Sequence, residues 1–292
     1  MEDLERARAA RWWRTGRRIG SLPRARAFVE DVGFALLFPT SGVELPSLWE
    51  AASDRPIRSL GEEWGPDAER VWGWKDELPR RGLAWYGRFL RGRPSFLAPD
   101  LLADLYPRSG RPEDFEEDPL SPQAHRIARI LLRSGPQPTS ALREALDVEG
   151  RRGGERFSAA LTELGRRLVV THHGVEDEGA GWPSAVLELT ARAFPIPRRR
   201  DRERAVLRAA DRFLDTMLLA RPADLGRAFG WSAREARGAL EALARAGRAE
   251  VSGGGYRPAT ARRGRGRGSA SPPRGAARGQ TSRRSLAQRE SS

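Results

Sequence analysis

The same order of elements can be read twice in this chain, and that repetition restricts the fold more than any total does. In the first copy, Ser121-Pro122 supplies an N-cap oxygen and then a proline where the missing N–H costs nothing. Ile127, Ile130 and Leu131 follow at helical spacing, and Ser134-Gly135-Pro136 ends the helix. Thr139-Ser140 opens a short second helix with Leu142, Ala145 and Leu146 turned inward. After a polar connector over residues 147–154, Phe157, Ala160, Leu161 and Leu164 form the single apolar stripe of a third helix. Two β-type runs close the copy, residues 168–173 and 185–189, separated by a loop rich in glycine and acids. The acids of that loop, Glu176-Asp177-Glu178, predict that its tip stays out of a DNA groove.

The second copy opens with a long helix carrying Val206, Ala209, Ala210, Phe213 and Met217 on one face. A short helix over residues 222–229 follows, closed by Gly230. Ser232-Ala233-Arg234-Glu235 has the spacing of a capping box, and Ala236, Ala239, Leu240 and Leu243 make the stripe of the next helix. Residues 249–252, three glycines and Tyr256 suit a short hairpin. Three helices and then a two-stranded hairpin is the winged-helix order, in which the third helix enters the major groove. The expected fold is therefore mainly α with small β-hairpins (α+β): tandem winged helices at 119–197 and 201–257. A Trp-rich region at 1–118 precedes them, and a basic, disordered tail at 258–292 follows.

Region 1–118 holds seven of the nine Trp: 12, 13, 49, 64, 72, 74 and 85. Residues 32–38 fit a buried strand or part of a helix equally well, because an unbroken apolar run has no diagnostic period. Residues 46–52 and 66–74 read as helices. Residues 83–90 and 95–98, on either side of Arg91-Gly92-Arg93-Pro94, read as a hairpin. Helices followed by a hairpin would suit a third, degenerate winged helix. The tryptophans read first as core fillers, with a base-stacking pocket edged by Lys75, Asp76 and Glu77 as the alternative.

The net charge of +13 must be apportioned before it is used. From Arg257 onward there are ten Arg against Glu290 alone, a net of +9, which leaves +4 for the rest. Only Lys75 is a lysine, so 51 of the 52 cations are Arg, a bias that a GC-rich genome also produces. The Arg263-Gly264-Arg265-Gly266-Arg267-Gly268 run fits either sequence-independent nucleic-acid binding or a solubilising tail. With no Cys there is no disulfide, thiolate zinc site or cysteine nucleophile, and with three His no metal or other cofactor is expected. No apolar run approaches the roughly 18 residues of a membrane span. The opening MEDLERARAARWWRTGRR has no apolar segment behind it, so a cytoplasmic address is the expectation.

Opposite each third-helix stripe lies a polar face. On the first it carries Arg152, Glu155, Thr162 and Arg166; on the second Arg234, Glu241 and Arg245, with Arg237 on the flank. Arginine forks match phosphates and guanine edges, so Arg152, Thr162, Arg166, Arg234, Arg237 and Arg245 are the candidate contacts to double-stranded DNA. Glu155 and Glu241 are what an ordinary solvated face would carry. His172 and His173 fall on opposite sides of a wing strand, and a structural role is expected for them ahead of phosphate contact.

DVGFALLFPTSGVELPSLWEA, VWGWKDELPRRGLAWYGRFLRGRPSFL and the segment after Ser121 resemble the AlkZ-related proteins. That branch of the bacterial winged-helix superfamily includes the AlkZ and YcaQ DNA glycosylases. The resemblance covers about residues 20–257 and rests most on WGWKDELP. It implies tandem winged helices enclosing DNA and, in such enzymes, excision of alkylated or crosslinked bases. It also implies a Gln-x-Gln or Gln-x-Asp pair that places the attacking water. The four Gln here, 123, 137, 280 and 288, form no such pair. A chain of this ancestry without it binds DNA but lacks that route to catalysis. Alternatively it is an active glycosylase using carboxylates, Glu30 and Asp31 being the first candidates, or a transcriptional regulator.

Overall fold

In the computed structural model the described residues are 2–16, 18–61, 64–177, 183–197 and 201–259. Arg198-Arg199-Arg200, Glu178 and the tail from residue 260 onward lie outside them. The chain begins with α1 (Glu2–Arg11) and α2 (Leu22–Val32), the latter ended by Gly33 at φ +81°. The ambiguous run then resolves into a strand, β1 (Phe34–Leu36). Next come α3 (Leu48–Ala52), α4 (Pro66–Arg80), β2 (Trp85–Arg88), β3 (Pro94–Leu97) and α5 (Pro99–Leu105). The three strands form one antiparallel sheet in the order β1-β3-β2, with Phe34 opposite Leu97 and Trp85 opposite Leu97 on the other side. Both faces are covered. Phe34, Leu36, Trp85 and Leu97 belong to one core, while Ala35, Leu37, Ala84 and Phe96 belong to another. A strand buried on both faces has no polar side, so its sequence cannot show the alternation of a half-exposed strand.

The first three-helix segment comprises α6 (Pro122–Ser134), β4 (Gln137–Pro138), α7 (Thr139–Ala145) and α8 (Gly150–Arg166). The hairpin β5 (Val170–Glu176) and β6 (Ser184–Leu189) follows, and α9 (Thr190–Ala193) ends the segment. β6 lies between β4 and β5, and the register shifts between His172 and Gly174. Ile127, Leu131, Leu142, Phe157, Ala160 and Leu164 meet in a third core, as their spacing predicts; Ala145, expected inside, is exposed. The third helix starts earlier than the connector at 147–154 suggests, at Gly150. The Arg151–Glu155 ion pair at 2.9 Å spans Gly153-Gly154, two residues that disfavour helix. Arg152 therefore sits in the first helical turn.

The second segment comprises α10 (Arg202–Met217), α11 (Pro222–Phe229), α12 (Ala233–Arg245) and the hairpin β7 (Ala249–Ser252) with β8 (Gly255–Pro258). Ser232 Oγ accepts the Glu235 N–H at 3.1 Å, which caps α12. The Ala259 N–H donates to the Arg248 carbonyl at 3.0 Å. Among the described residues this segment forms no separate core. Its helices share one with the N-terminal sheet, where Phe34 stacks on Phe213 at 5.5 Å and meets Phe229 edge-on at 5.7 Å. Trp12 Nε1 donates to the Thr216 carbonyl and Thr216 Oγ1 to that of Val32, at 2.8 and 2.6 Å. Residues 1–118 and 201–257 are thus separate in sequence but joined in one core.

Candidate nucleic-acid interface

Two close approaches set the position of α8. Gly165 lies so near β2 that a Cβ there would be 3.1 Å from the Arg88 backbone nitrogen. Beyond it, the turn after β2 carries Arg91 at φ +51° and Gly92 at φ +71°, and a Cβ on Gly92 would collide with the Arg166 guanidinium. The positive φ disfavours a side chain at Gly92, whereas the Arg166 guanidinium, the end of a flexible side chain, could move aside. The tip of the β2–β3 hairpin is thereby wedged between α8 and α11. The result is a cleft of about 1110 Å³ walled by α8, the hairpin tip, α11 and the start of α12.

Arg91, Arg166, Arg167 and Arg227 line this cleft, against a single acid among the described residues, Glu163. Glu163 already accepts the Ser121 N–H at 3.0 Å, and Arg227 is held by Asp224 at 2.7 Å. A hollow of about 520 Å³ on the outer face of α12 holds Arg234, Arg237 and Glu241, and it shares Ala233 with the cleft.

Of the residues anticipated from sequence, Thr162 and Arg166 line the cleft and Arg234 and Arg237 the hollow. Arg152 and Arg245 are exposed at the opposite end of α8 and in the last turn of α12. The Thr162 hydroxyl donates to Ser158 O within its own helix at 2.9 Å, so its remaining capacity is as an acceptor. Among the described residues none of Arg152, Arg166, Arg234, Arg237 and Arg245 enters an ion pair, whereas Glu155 is matched by Arg151. The arginines that tie the N-terminal helices to α10 differ: Arg11 bridges Asp31 and Asp215, Arg208 holds Asp104, and Arg212 holds Asp100. Arg91, Arg167, Arg227 and Trp231 line the cleft but did not stand out in the sequence. The basic Arg91-Gly92-Arg93 turn was a local signal; its place beside α8 and α11 is a tertiary fact.

The family model described as AlkZ related matches residues 19–229, most of the chain. The chain belongs to the AlkZ-related family. The match runs from just before α2 to the last residue of α11, so it takes in the hairpin tip and α8 and stops short of α12. Among solved structures, Streptomyces sahachiroi DNA glycosylase AlkZ is similar at 16% identity with a TM-score of 0.49. That match covers 81% of this chain and 63% of the other, so the chain spans less than two thirds of that protein. No curated protein matches the chain.

In this AlkZ-related chain, Gln137 donates to the Pro136 carbonyl at 2.7 Å, and Gln123 lies in the first turn of α6. Neither lines the cleft. Glu30 pairs with Arg26 one turn away, at 2.7 Å. Asp31 accepts from Arg11 at 3.1 Å and from Trp13 Nε1 at 2.8 Å, fastening α1 to the end of α2. These two carboxylates also lie outside the cleft lining, and their partners give both a structural setting. No described helix is long and apolar enough to cross a membrane, and no described group of three or more His, Asp or Glu is arranged to hold a metal ion.

The Trp-rich region divides in two. Trp12, Trp13, Trp49, Trp74 and Trp85 are buried, whereas Trp64 and Trp72 are exposed. Within WGWKDELP, Lys75 and Asp76 form a network that fastens α4 to the strand β5. Asp76 Oδ1 accepts from Lys75 Nζ at 2.5 Å and from His172 Nε2 at 2.6 Å, while the Lys75 ammonium sits 4.3 Å from the Trp72 ring centroid. His172 is therefore a buried structural residue. Burial holds its pKa below the ordinary histidine value even though the Asp76 carboxylate opposes that shift. Burial also pushes Asp76 upward, but the hydrogen bonds from His172 and Lys75, with their charge, hold it below the usual carboxylate range.

Both shifts have the same sign for stability. The unfolded chain takes up protons that the folded one resists, so stability falls with pH from about 6.5 downward for His172 and again through the carboxylate range for Asp76. Thermal melting is expected to drop between about pH 7 and 5, and His172→Gln, which keeps a donor but cannot ionise, should flatten that drop. An unchanged slope in the variant would locate the acid sensitivity elsewhere.

Proposed function

We propose that this chain is a duplex-DNA-binding protein built on tandem winged helices, with α8 and α12 as the two recognition helices. The arginine-lined cleft between α8 and α11–α12 carries this reading. Among the described residues, Arg91, Arg166 and Arg167 line a cleft with one acid, and α8 and α12 add Arg152, Arg234, Arg237 and Arg245, none of them in an ion pair. Arginines left unpaired beside a concave surface are free to bind phosphates in forked geometry. Membership of the AlkZ-related family supports the same partner.

Binding of a labelled duplex, followed by anisotropy against salt, tests this. Submicromolar to micromolar affinity is expected at low salt. With about five phosphate contacts, log Kd should rise with log salt at a slope of about 4 to 5. Removing residues 260–292, which carry nine arginines, should lower the slope without abolishing binding. If the shortened chain does not bind at low salt, the helices are protein-docking modules and the reading fails.

Base excision by a Gln pair is not available to this chain. Little or no release of N-methylated purines from duplex DNA is expected, measured as free base and abasic sites. Should excision be found, Glu30→Ala or Asp31→Ala must reduce it by at least about 100-fold for either carboxylate to be the water-activating group. Robust excision in both variants would place that group elsewhere.

A further inference from the structure

We propose that Trp231 is a stacking site for a base that has left the double helix, so that the favoured substrate is a duplex containing an unstacked nucleotide. This rests on the DNA-binding reading and makes it more specific. Trp231 stands in the cleft, in the connector between α11 and α12, one residue before the Ser232 cap. It is half-buried, while its neighbour Phe229 is only 5% exposed.

The tryptophan is held from below. Its ring meets Phe229 at 5.5 Å and 66°, and Phe229 is itself packed against Phe213, Phe34 and Phe89. Its backbone N–H donates to Gly226 O at 3.0 Å, and a Cβ on Gly226 would approach the Trp231 carbonyl to 3.0 Å. Trp231 therefore stands on an aromatic base in the wall of the cleft, and Arg166 and Arg167 line the same space.

The backbone of an intact duplex is bound by cations and hydrogen-bond donors and makes no use of an aromatic face. A paired base has both faces covered by its neighbours in the stack, so an aromatic ring in the cleft can meet a base face only where one has come out. Arginines beside an aromatic ring match the two parts of an unpaired nucleotide, its phosphate and its π-face. The cleft, at about 1110 Å³, is as roomy as the larger small-molecule sites.

The test compares a paired duplex with the same duplex carrying one unpaired 2-aminopurine, using the full chain. The wild type should bind the bulged duplex about 10-fold tighter, within the range of a single base–aromatic stack, and quench the 2-aminopurine fluorescence. Trp231→Ala should remove both the preference and the quenching, so that the bulged duplex binds no tighter than the paired one, whereas Trp231→Phe should retain most of the preference. Arg166→Ala should weaken both duplexes equally. Equal binding of the two duplexes by the wild type would overturn the stacking site and leave the DNA-binding reading standing. Loss of both duplexes to the same extent in Trp231→Ala would reduce Trp231 to a support for α12, which also overturns it. No binding of either duplex would overturn both readings.

Discussion

Arg166→Glu combined with Arg237→Glu is expected to lower affinity for a paired duplex by about 100-fold or more at moderate salt, and to reduce the salt slope by about two. On the proposed DNA-binding reading, each substitution removes one phosphate contact with its released counterion, and each new carboxylate then repels the phosphate. The effect should be confined to binding. Both side chains are exposed, neither belongs to an apolar stripe, and neither enters an ion pair among the described residues. Surface changes of that kind usually alter stability by about 0.5 kcal/mol or less, so the melting temperature should hardly move. Arg204→Glu is the control, because Arg204 lies on α10, outside the cleft and the hollow, paired with Asp201 at 3.1 Å. A comparable loss per charge in that control would show that net charge governs binding and that the cleft is not the footprint.

The largest effect on stability is expected from Phe213→Ala. Phe213 is fully buried, stacked on Phe34 of the N-terminal sheet at 5.5 Å and edge-on to Phe229 of α11 at 5.4 Å. Truncating a buried aromatic costs about 3–5 kcal/mol through lost transfer energy and the cavity left behind. For a body of this size that corresponds to a fall of roughly 10 °C or more in melting temperature. The consequence should also be long-range in sequence, because Phe213 closes the core shared by residues 1–118 and 201–257. Hydrogen exchange in β1 and in α12 should rise together in the variant. Faster exchange confined to α10–α12, with the N-terminal sheet as protected as before, would mean that the two segments fold independently. Because α11 and the β2–β3 tip wall one cleft, duplex binding should weaken along with stability.

Much of the local structure is legible in the sequence. The three-helix-and-hairpin order at 121–189 and 202–257 followed from stripes such as Phe157, Ala160 and Leu164, from the Ser121 and Ser232 caps, and from Gly135 and Gly230 at helix ends. These signals act within about one helical turn, so a sequence carries them whole. The strand at Phe34–Leu36 was not legible, because it is covered on both faces and has no polar side to set a period. The start of α8 at Gly150 escaped as well, since two glycines mask a helix that an ion pair and the following stripe support.

For the candidate site, helical period in the sequence alone placed Thr162, Arg166, Arg234 and Arg245 opposite the buried stripes and Arg237 on the flank; Arg152 gained its helical place only with the start of α8 at Gly150. The sequence could not determine which of these share a surface, nor that Glu30 and Asp31 would be occupied by Arg26, Arg11 and Trp13. Tertiary structure decided that the β2–β3 tip enters between α8 and α11. It thereby added Arg91, Arg167, Arg227 and Trp231 to one cleft. The physical reason is range: helical period and capping are written in neighbours three or four residues apart. A cleft is a meeting of surfaces more than a hundred residues apart, fixed by the packing of Phe34, Phe213 and Phe229 in a core that no local pattern describes.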